Sequence, residues 1–191
     1  CQTAVIEIRG VLGYRYDFWT WLYDGSSYTG IMEKVRAAAD DSRVQKIVLA
    51  IDSPGGTVMG CMEASKAIYE ARAKKEVVAV VDPEAASAGY WLASQASRIV
   101  CLESGWVGSV GCETDYRSLE RMMTEAGIDY RIVRSAVSPE KNLGHPYEPL
   151  SDEATAYFQS MCDTVAADFI AHVARGRGVK ESQVAESYGK G

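Results

Sequence analysis

The chain has 191 residues, 47% of them apolar, enough to bury the core of one ordinary domain with a small helical appendage but not of two large ones. A formal net charge of −6 leaves no basic face to neutralise phosphates, which argues against a nucleic-acid partner. Five cysteines (Cys1, Cys61, Cys101, Cys112, Cys162) with only two histidines and no CxxC pair argue against a metal site or a disulfide framework and favour a reducing compartment.

Taken in chain order, "AVIEIRG" (4 to 10) is short, β-branched and bounded by turn residues, and predicts a buried strand. "YRYDFWTWLY" (14 to 23) carries six aromatics in ten residues, and two readings stand for it: a flap of core closing over the sheet, or a surface that binds a subunit or a peptide. "KIVLAI" (46 to 51) predicts a second buried strand. Val58, Met62, Ser65 and Tyr69 recur at helical spacing, opposed by Glu63, Lys66, Glu70 and Lys74, so a helix is expected over 57 to 75. "VVAVV" (77 to 81) predicts a strand, residues 86 to 96 a short helix and "RIVCL" (98 to 102) another strand. Leu119, Met122, Met123 and Ala126 mark a helix that Gly127 can cap, followed by an expected strand "YRIVR" (130 to 134). Residues 134 to 154, rich in Pro and Gly, read as a loop. From Ser151, a plausible N-cap followed by Asp152 and Glu153, a long helix carries Tyr157, Phe158, Met161, Val165, Phe169 and Val173 to a stop at residues 175 to 178. Strand and helix alternate, which predicts an α/β domain with a largely parallel sheet and a helical C-terminal part over 150 to 191. No apolar stretch reaches the roughly 18 residues of a membrane-spanning helix, no signal peptide is recognisable, and the chain is expected to be soluble as given. It starts at Cys1 and ends at "YGKG", so a piece of a longer polypeptide is expected.

Two glycine-lined strand ends carry the chemical interest. In "AIDSPGGTVMG" (50 to 60) a strand ends in Asp-Ser-Pro-Gly-Gly, which is either a plain turn or a place where a ligand meets bare backbone N–H groups. In "VDPEAASAGYWLAS" (81 to 94) Ser87 stands among alanines and a glycine at a strand-to-helix junction, either as an N-cap or as an accessible nucleophile whose neighbouring amides help to form an oxyanion hole. A nucleophilic serine needs a base. Of the two imidazoles, His172 falls in the middle of the long helix, on a face expected to be solvated, and between Lys75 and Lys180 there is one lysine, Lys141. A lysine serves as base only when burial keeps it neutral, which lowers its pKa from about 10.4 to around 7–8 at roughly 3–5 kcal/mol. In a loop, a lysine is more simply solvated, and the residues alone leave both options open.

"DSPGG" (52 to 56) and "ASAGYWLAS" (86 to 94), followed by "VGSVG" (107 to 111) and "KNLGHPYEPLSDEA" (141 to 154), resemble the signal peptide peptidase A family of serine proteases, peptidase family S49. The "YEPLSDEA" form is similar to the bacteriophage members, prohead or capsid maturation proteases. The resemblance implies a ClpP/crotonase-like fold of repeated ββα units and a Ser-Lys dyad without cofactor or metal. Ser87 matches the nucleophile, Lys141 the general base and Ser109 the hydroxyl that orients the lysine, while Gly55, Gly56 and the Ala88 amide match the oxyanion region. It further implies a peptide or protein substrate, a scaffold or capsid protein or a signal peptide, while the small residues near Ser87 suggest a small side chain at the cleavage position. A homo-oligomer is implied, in a phage prohead or the bacterial host cytoplasm. "SAVSPEK" departs from the glycine-containing stretch that usually precedes the lysine, and that loop is expected to be displaced in an apo structure. Three other readings remain: a signal-peptide-degrading enzyme of the same family, a crotonase-type acyl-CoA enzyme, and a non-catalytic assembly protein.

Overall fold

The structure is a computed structural model that describes residues 2–187 and 191. Of Trp19 the backbone alone is described, and Cys1 and residues 188–190, part of the expected cysteine inventory and C-terminal helical region, lie outside the described residues. Two compact units emerge: Cys1–Gly111 together with Ala166–Gly191, and Cys112–Val165.

The first unit is built on a five-stranded sheet of β1 (Gln2–Leu12), β2 (Val44–Gly56), β3 (Glu76–Ala86), β4 (Arg98–Cys101) and β5 (Trp106–Gly108). The order is β1-β2-β3-β4, and β5 pairs with β3 beyond the point where β4 leaves it, at Ala86↔Gly108. Every pairing is parallel, so each strand must be reached by a crossover, and helices supply most of them. These helices are α1 (Phe18–Leu22), α2 (Tyr28–Asp40), α3 (Cys61–Ala71) and α4 (Ala88–Ala93). The α/β class with a parallel sheet is therefore as expected.

Strand periodicity places the site. In β2, Ile47, Leu49 and Ile51 point into the core, and the same two-residue period carries Ser53 and Gly55 onto that face at the C-terminal end. Helix α2 begins at Ser27, whose Oγ accepts from Gly30 N at 3.2 Å, and buries Tyr28, Ile31, Val35, Ala38 and Ala39. The Tyr28 hydroxyl donates to Thr57 O at 2.7 Å. Burial pushes the Cys61 thiol up to about 12, which makes it an inert core group.

The aromatic stretch is not a core flap. Tyr14, Tyr16, Phe18, Trp21, Leu22 and Tyr23 are all exposed, and among the described side chains of α1 the buried one is polar Thr20, whose N–H and hydroxyl both donate to Asp17 Oδ1 at 2.8 Å. Anchoring by that polar residue turns the rings outward, so the surface reading remains.

The second unit holds α5 (Glu120–Glu125) and the first part of α6 (Asp152–Arg177), whose remainder from Ala166 belongs to the first unit. Ser151 caps α6 as expected, with Ala154 N on its Oγ at 3.1 Å. Gly127 follows α5 at φ 71, the left-handed cap that glycine allows. The expected strand over 130 to 134 does not form: no segment among the described residues pairs with it, and Val133 is 94% exposed. Its side chains are engaged elsewhere, the Tyr130 ring against Tyr147 (4.5 Å between centroids) and Arg134 on Glu148. Without a ladder partner a β-branched run has no reason to extend. After α6, α7 (Glu181–Ser187) closes the described chain, and no helix among the described residues is long and apolar enough to cross a membrane.

Candidate active site

Ser87 is the last residue before α4 and occupies its N-cap, yet its hydroxyl makes no capping bond. The backbone explains why: at φ 49 and ψ −123 it is far from the extended conformation that lets an N-cap side chain fold back onto its helix. Strand β5 holds this conformation, since Ser87 N donates to Gly108 O at 2.8 Å and Trp91 N closes the first turn on Ser87 O at 2.9 Å. Among the described residues, Ser87 Oγ has no hydrogen-bond partner. It is a half-buried hydroxyl raised on a sharp strand-to-helix turn, the form a nucleophile takes in α/β hydrolases.

The floor beside it is made by β2. A Cβ on Gly55 would lie 2.6 Å from Ser87 Cβ and 3.0 Å from Ala88 N, and Gly55 has φ 110, so only glycine fits. Ser53 fixes this end of the strand: its hydroxyl, on a fully buried side chain, donates to Gly10 O at 2.7 Å and accepts from Gly55 N at 3.2 Å. The Gly55 amide, expected among the oxyanion donors, thus already has a partner, and what Gly55 supplies here is space. Gly56 is exposed and packs its α-carbon against the Leu12 backbone, where a Cβ would meet Leu12 O at 2.0 Å. Ala88, the first residue of α4, has no carbonyl of its own helix to receive its N–H. Ser53, not among the residues expected in the site, lies inside "DSPGG" and continues the inward period of β2, which is the signal that marks it.

Ser109 comes next to Ser87 through the β3–β5 pairing, as the residue after Gly108, and it is exposed with φ 54. Ser87, Gly55, Gly56, Ala88 and Ser109 thus share the first unit. Lys141 belongs to the second. It sits in a turn in which its N–H donates to Ser138 O at 3.2 Å, and its side chain is exposed, without a hydrogen-bond or ion-pair partner among the described residues.

A second hydroxyl beside a possible base is present in the first unit, and the structure argues against its use. Ser65 Oγ is 3.0 Å from His172 Nδ1, but Ser65 is fully buried. That nitrogen also receives Trp91 Nε1–H at 2.8 Å, and because indole can only donate, His172 is held neutral with its proton on Nε2. Burial lowers the His172 pKa, Arg175 adds to the effect and Asp168 opposes it. The solvated face expected for His172 is thus corrected: the ring packs edge-on to Trp91, which itself stacks on Phe169 at 4.3 Å. Phe169, Val173 and Gly176 press this part of α6 onto α4 and the turn after it, so closely that a Cβ on Gly176 would lie 2.2 Å from Ser94 O. Gln95 completes the contact, donating to His172 O at 3.0 Å and accepting from Arg175 at 2.9 Å. Every residue of α4 is buried, and the serine at its head is correspondingly fixed. No group of His, Cys, Asp and Glu among the described residues is arranged to hold a metal ion.

A family model described as peptidase family S49 matches residues 69–187. The chain is 30% identical over 181 residues to the head-tail preconnector protein GP5 of Enterobacteria phage P21, which covers 95% of this chain and 36% of that protein. It is 30% identical over 184 residues to the capsid assembly protease C of Escherichia phage lambda, covering 96% of this chain and 42% of the phage protein. The chain therefore spans well under half the length of these curated relatives. Among solved structures, the 1510-N membrane-bound stomatin-specific protease shares the fold, with a TM-score of 0.56 at 18% identity, covering 96% of this chain and 68% of that one.

Proposed function

Because the chain belongs to peptidase family S49, we propose that it is a serine endopeptidase in which Ser87 attacks the peptide carbonyl and Lys141 is the general base. The neutral Lys141 amine takes the Ser87 proton as the Oγ–C bond forms. The tetrahedral oxyanion is received by the Ala88 and Gly56 amides, over the space that Gly55 leaves open. The lysine ammonium then protonates the departing amine as the C–N bond breaks, and water, deprotonated by the same amine, releases the acyl group. Ser109 orients the lysine. As base, Lys141 must shed the water that surrounds its side chain here, and bound substrate or a second copy of the chain would exclude that water.

One observation carries the reading: a serine at a helix N-cap, held at positive φ by β5, whose hydroxyl its own helix does not use. The likeness to two phage proteins named for head assembly supports a scaffold or capsid protein as substrate, in an assembling head. The alanines beside Ser87 favour a small side chain at the cleaved residue. The exposed rings of Tyr14, Tyr16, Phe18, Trp21 and Tyr23 are the contact through which copies of the chain associate.

The test is made on the full-length protein with fluorescein-labelled casein. Ser87→Ala is expected to abolish cleavage and Lys141→Ala to lower it by about a thousandfold or more, while a fluorophosphonate modifies Ser87 in the parent alone. Cleavage by Ser87→Ala at the parent rate overturns the proposal. The exposure of Lys141 favours one other reading, an assembly protein that keeps the fold without the activity. A Ser87 unreactive to fluorophosphonate at pH 9 in the full-length chain selects it.

A further inference from the structure

A lysine amine sits at the end of four rotatable bonds, so its position is only as definite as the backbone that carries it. Residues 138 to 144 form an exposed turn held by short backbone bonds, Lys141 N to Ser138 O at 3.2 Å and Leu143 N to Glu140 O at 3.1 Å, with Asn142 at φ 56 and Gly144 at φ 77. Such bonds face solvent and exchange readily for water. Among the described residues, one side chain hydrogen-bonds into this turn from outside it. Arg134 Nε donates to Lys141 O at 2.6 Å, and one of its terminal nitrogens donates to Asn142 O at 3.3 Å. The same guanidinium makes a two-pronged pair with Glu148, at 2.8 and 2.6 Å. The two side chains are 18% and 32% exposed, unlike the other ion pairs of the second unit, Arg121–Glu125 and Arg131–Asp129, whose side chains all lie well out in solvent. The Arg134 guanidinium holds the Glu148 carboxyl below the usual glutamate range, so the pair stays charged across neutral pH.

Glu148 is itself anchored. Its N–H donates to His145 O at 3.0 Å, and its carbonyl accepts the Tyr116 hydroxyl, which also reaches His145 O at 3.2 Å. From Tyr116 through Glu148 and Arg134, a continuous chain of polar contacts ends on the two carbonyls that flank the Cα of Asn142. We infer that Arg134 and Glu148 are positioning residues that set the backbone of the turn bearing Lys141. This inference rests on the reading of Lys141 as the base. Only a planar fork of donors spans two carbonyls and a carboxylate at once, which is why arginine and not lysine is expected at 134. It also gives a use to Glu148, the first glutamate of "YEPLSDEA", and to the last residue of the segment that does not become a strand.

The experiment measures, in full-length protein, the rate of Ser87 modification by a fluorophosphonate against pH, with casein cleavage alongside. Arg134→Gln and Glu148→Gln are each expected to slow modification tenfold or more at pH 7.5, and to move the acid limb of the profile to higher pH, as for an amine returned to water. KM for casein is expected to change by less than threefold. Arg134→Lys restores little, and the double variant is no slower than either single one, because both members act as one unit. Parent rates and an unmoved profile in Arg134→Gln and Glu148→Gln, beside an inactive Lys141→Ala, overturn the inference alone. Losses that merely follow the fraction of folded protein by circular dichroism, with the profile unmoved, overturn it too. Parent reactivity in Lys141→Ala instead overturns the base assignment, and this inference with it.

Discussion

Residue 87 is in a backbone conformation that suits glycine and has serine in it. At φ 49 and ψ −123, Cβ crowding costs on the order of 1–3 kcal/mol for a residue other than glycine. No capping bond offsets that cost. Folding by itself would therefore select glycine at this position, and what serine adds is a hydroxyl that its helix does not use. Ser87→Gly is accordingly expected to be inactive and yet more stable than the parent by roughly 1 kcal/mol, read as a higher urea midpoint at unchanged slope. A lower midpoint would show that the hydroxyl has a structural partner after all. Gly55 is the complement of this arrangement, the neighbour that gives up its side chain so that Ser87 and Ala88 can stand where they do.

Elements hold that serine still. Helix α4 has six residues, too few to persist alone, and its stability comes from burial under α6 through Trp91, Phe169 and His172. A stacked aromatic pair of this kind is worth about 0.5–1.5 kcal/mol beyond the area it buries. The indole bond to His172 makes the contact sensitive to pH. Burial, with Arg175, keeps the His172 pKa below its ordinary value, and Asp168 only partly opposes this; Trp91 and Ser65 face the ring from α4 and α3. Above about pH 6.5 the imidazole is neutral in both folded and unfolded chains and its contribution is fully present. As pH falls below that, the unfolded chain takes up a proton that the folded one resists, so stability is lost until the folded group titrates in turn. The drop in melting temperature between pH 7.5 and 5.5 is expected to be smaller in His172→Gln than in the parent. Equal drops would mean that the ring is not the group responsible.

At the scale of the molecule, the exposed rings of Tyr14, Tyr16, Phe18, Trp21 and Tyr23 concentrate five aromatics at the surface within ten residues of chain. Aromatic side chains supply large contact area at low entropic cost, and they are enriched at subunit interfaces. Association through this surface predicts that sedimentation velocity at rising concentration shows species larger than the monomer, and that Phe18→Ser with Trp21→Ser returns the protein to monomer without changing its melting temperature. A parent that stays monomeric throughout would leave the rings without that role.

Much of this was legible in the residues. The apolar runs of β1 to β4, the helical spacing of α3 and the Ser151 cap with its acidic first turn depend on neighbours a few positions away, and they appear where the pattern puts them. Helix α2 could have been read the same way, from Ser27 and the spacing of Ile31, Val35 and Ala38. The site motifs also point to Ser87 and the glycines beside it. Other features are decided by partners far along the chain: Ser53 reaching Gly10 43 residues away, or His172 receiving Trp91 from 81. Whether Ser87 is a cap or a free hydroxyl turns on one φ angle imposed by β5, and whether residues 130 to 134 form a strand turns on whether another strand lies beside them. The elements and the chemistry on offer are written into short stretches of residues, because periodicity and capping are local. Which hydroxyl is free, which amide is occupied and which histidine packs against an indole came from the folded arrangement, because each is a contact between segments that no local pattern encodes.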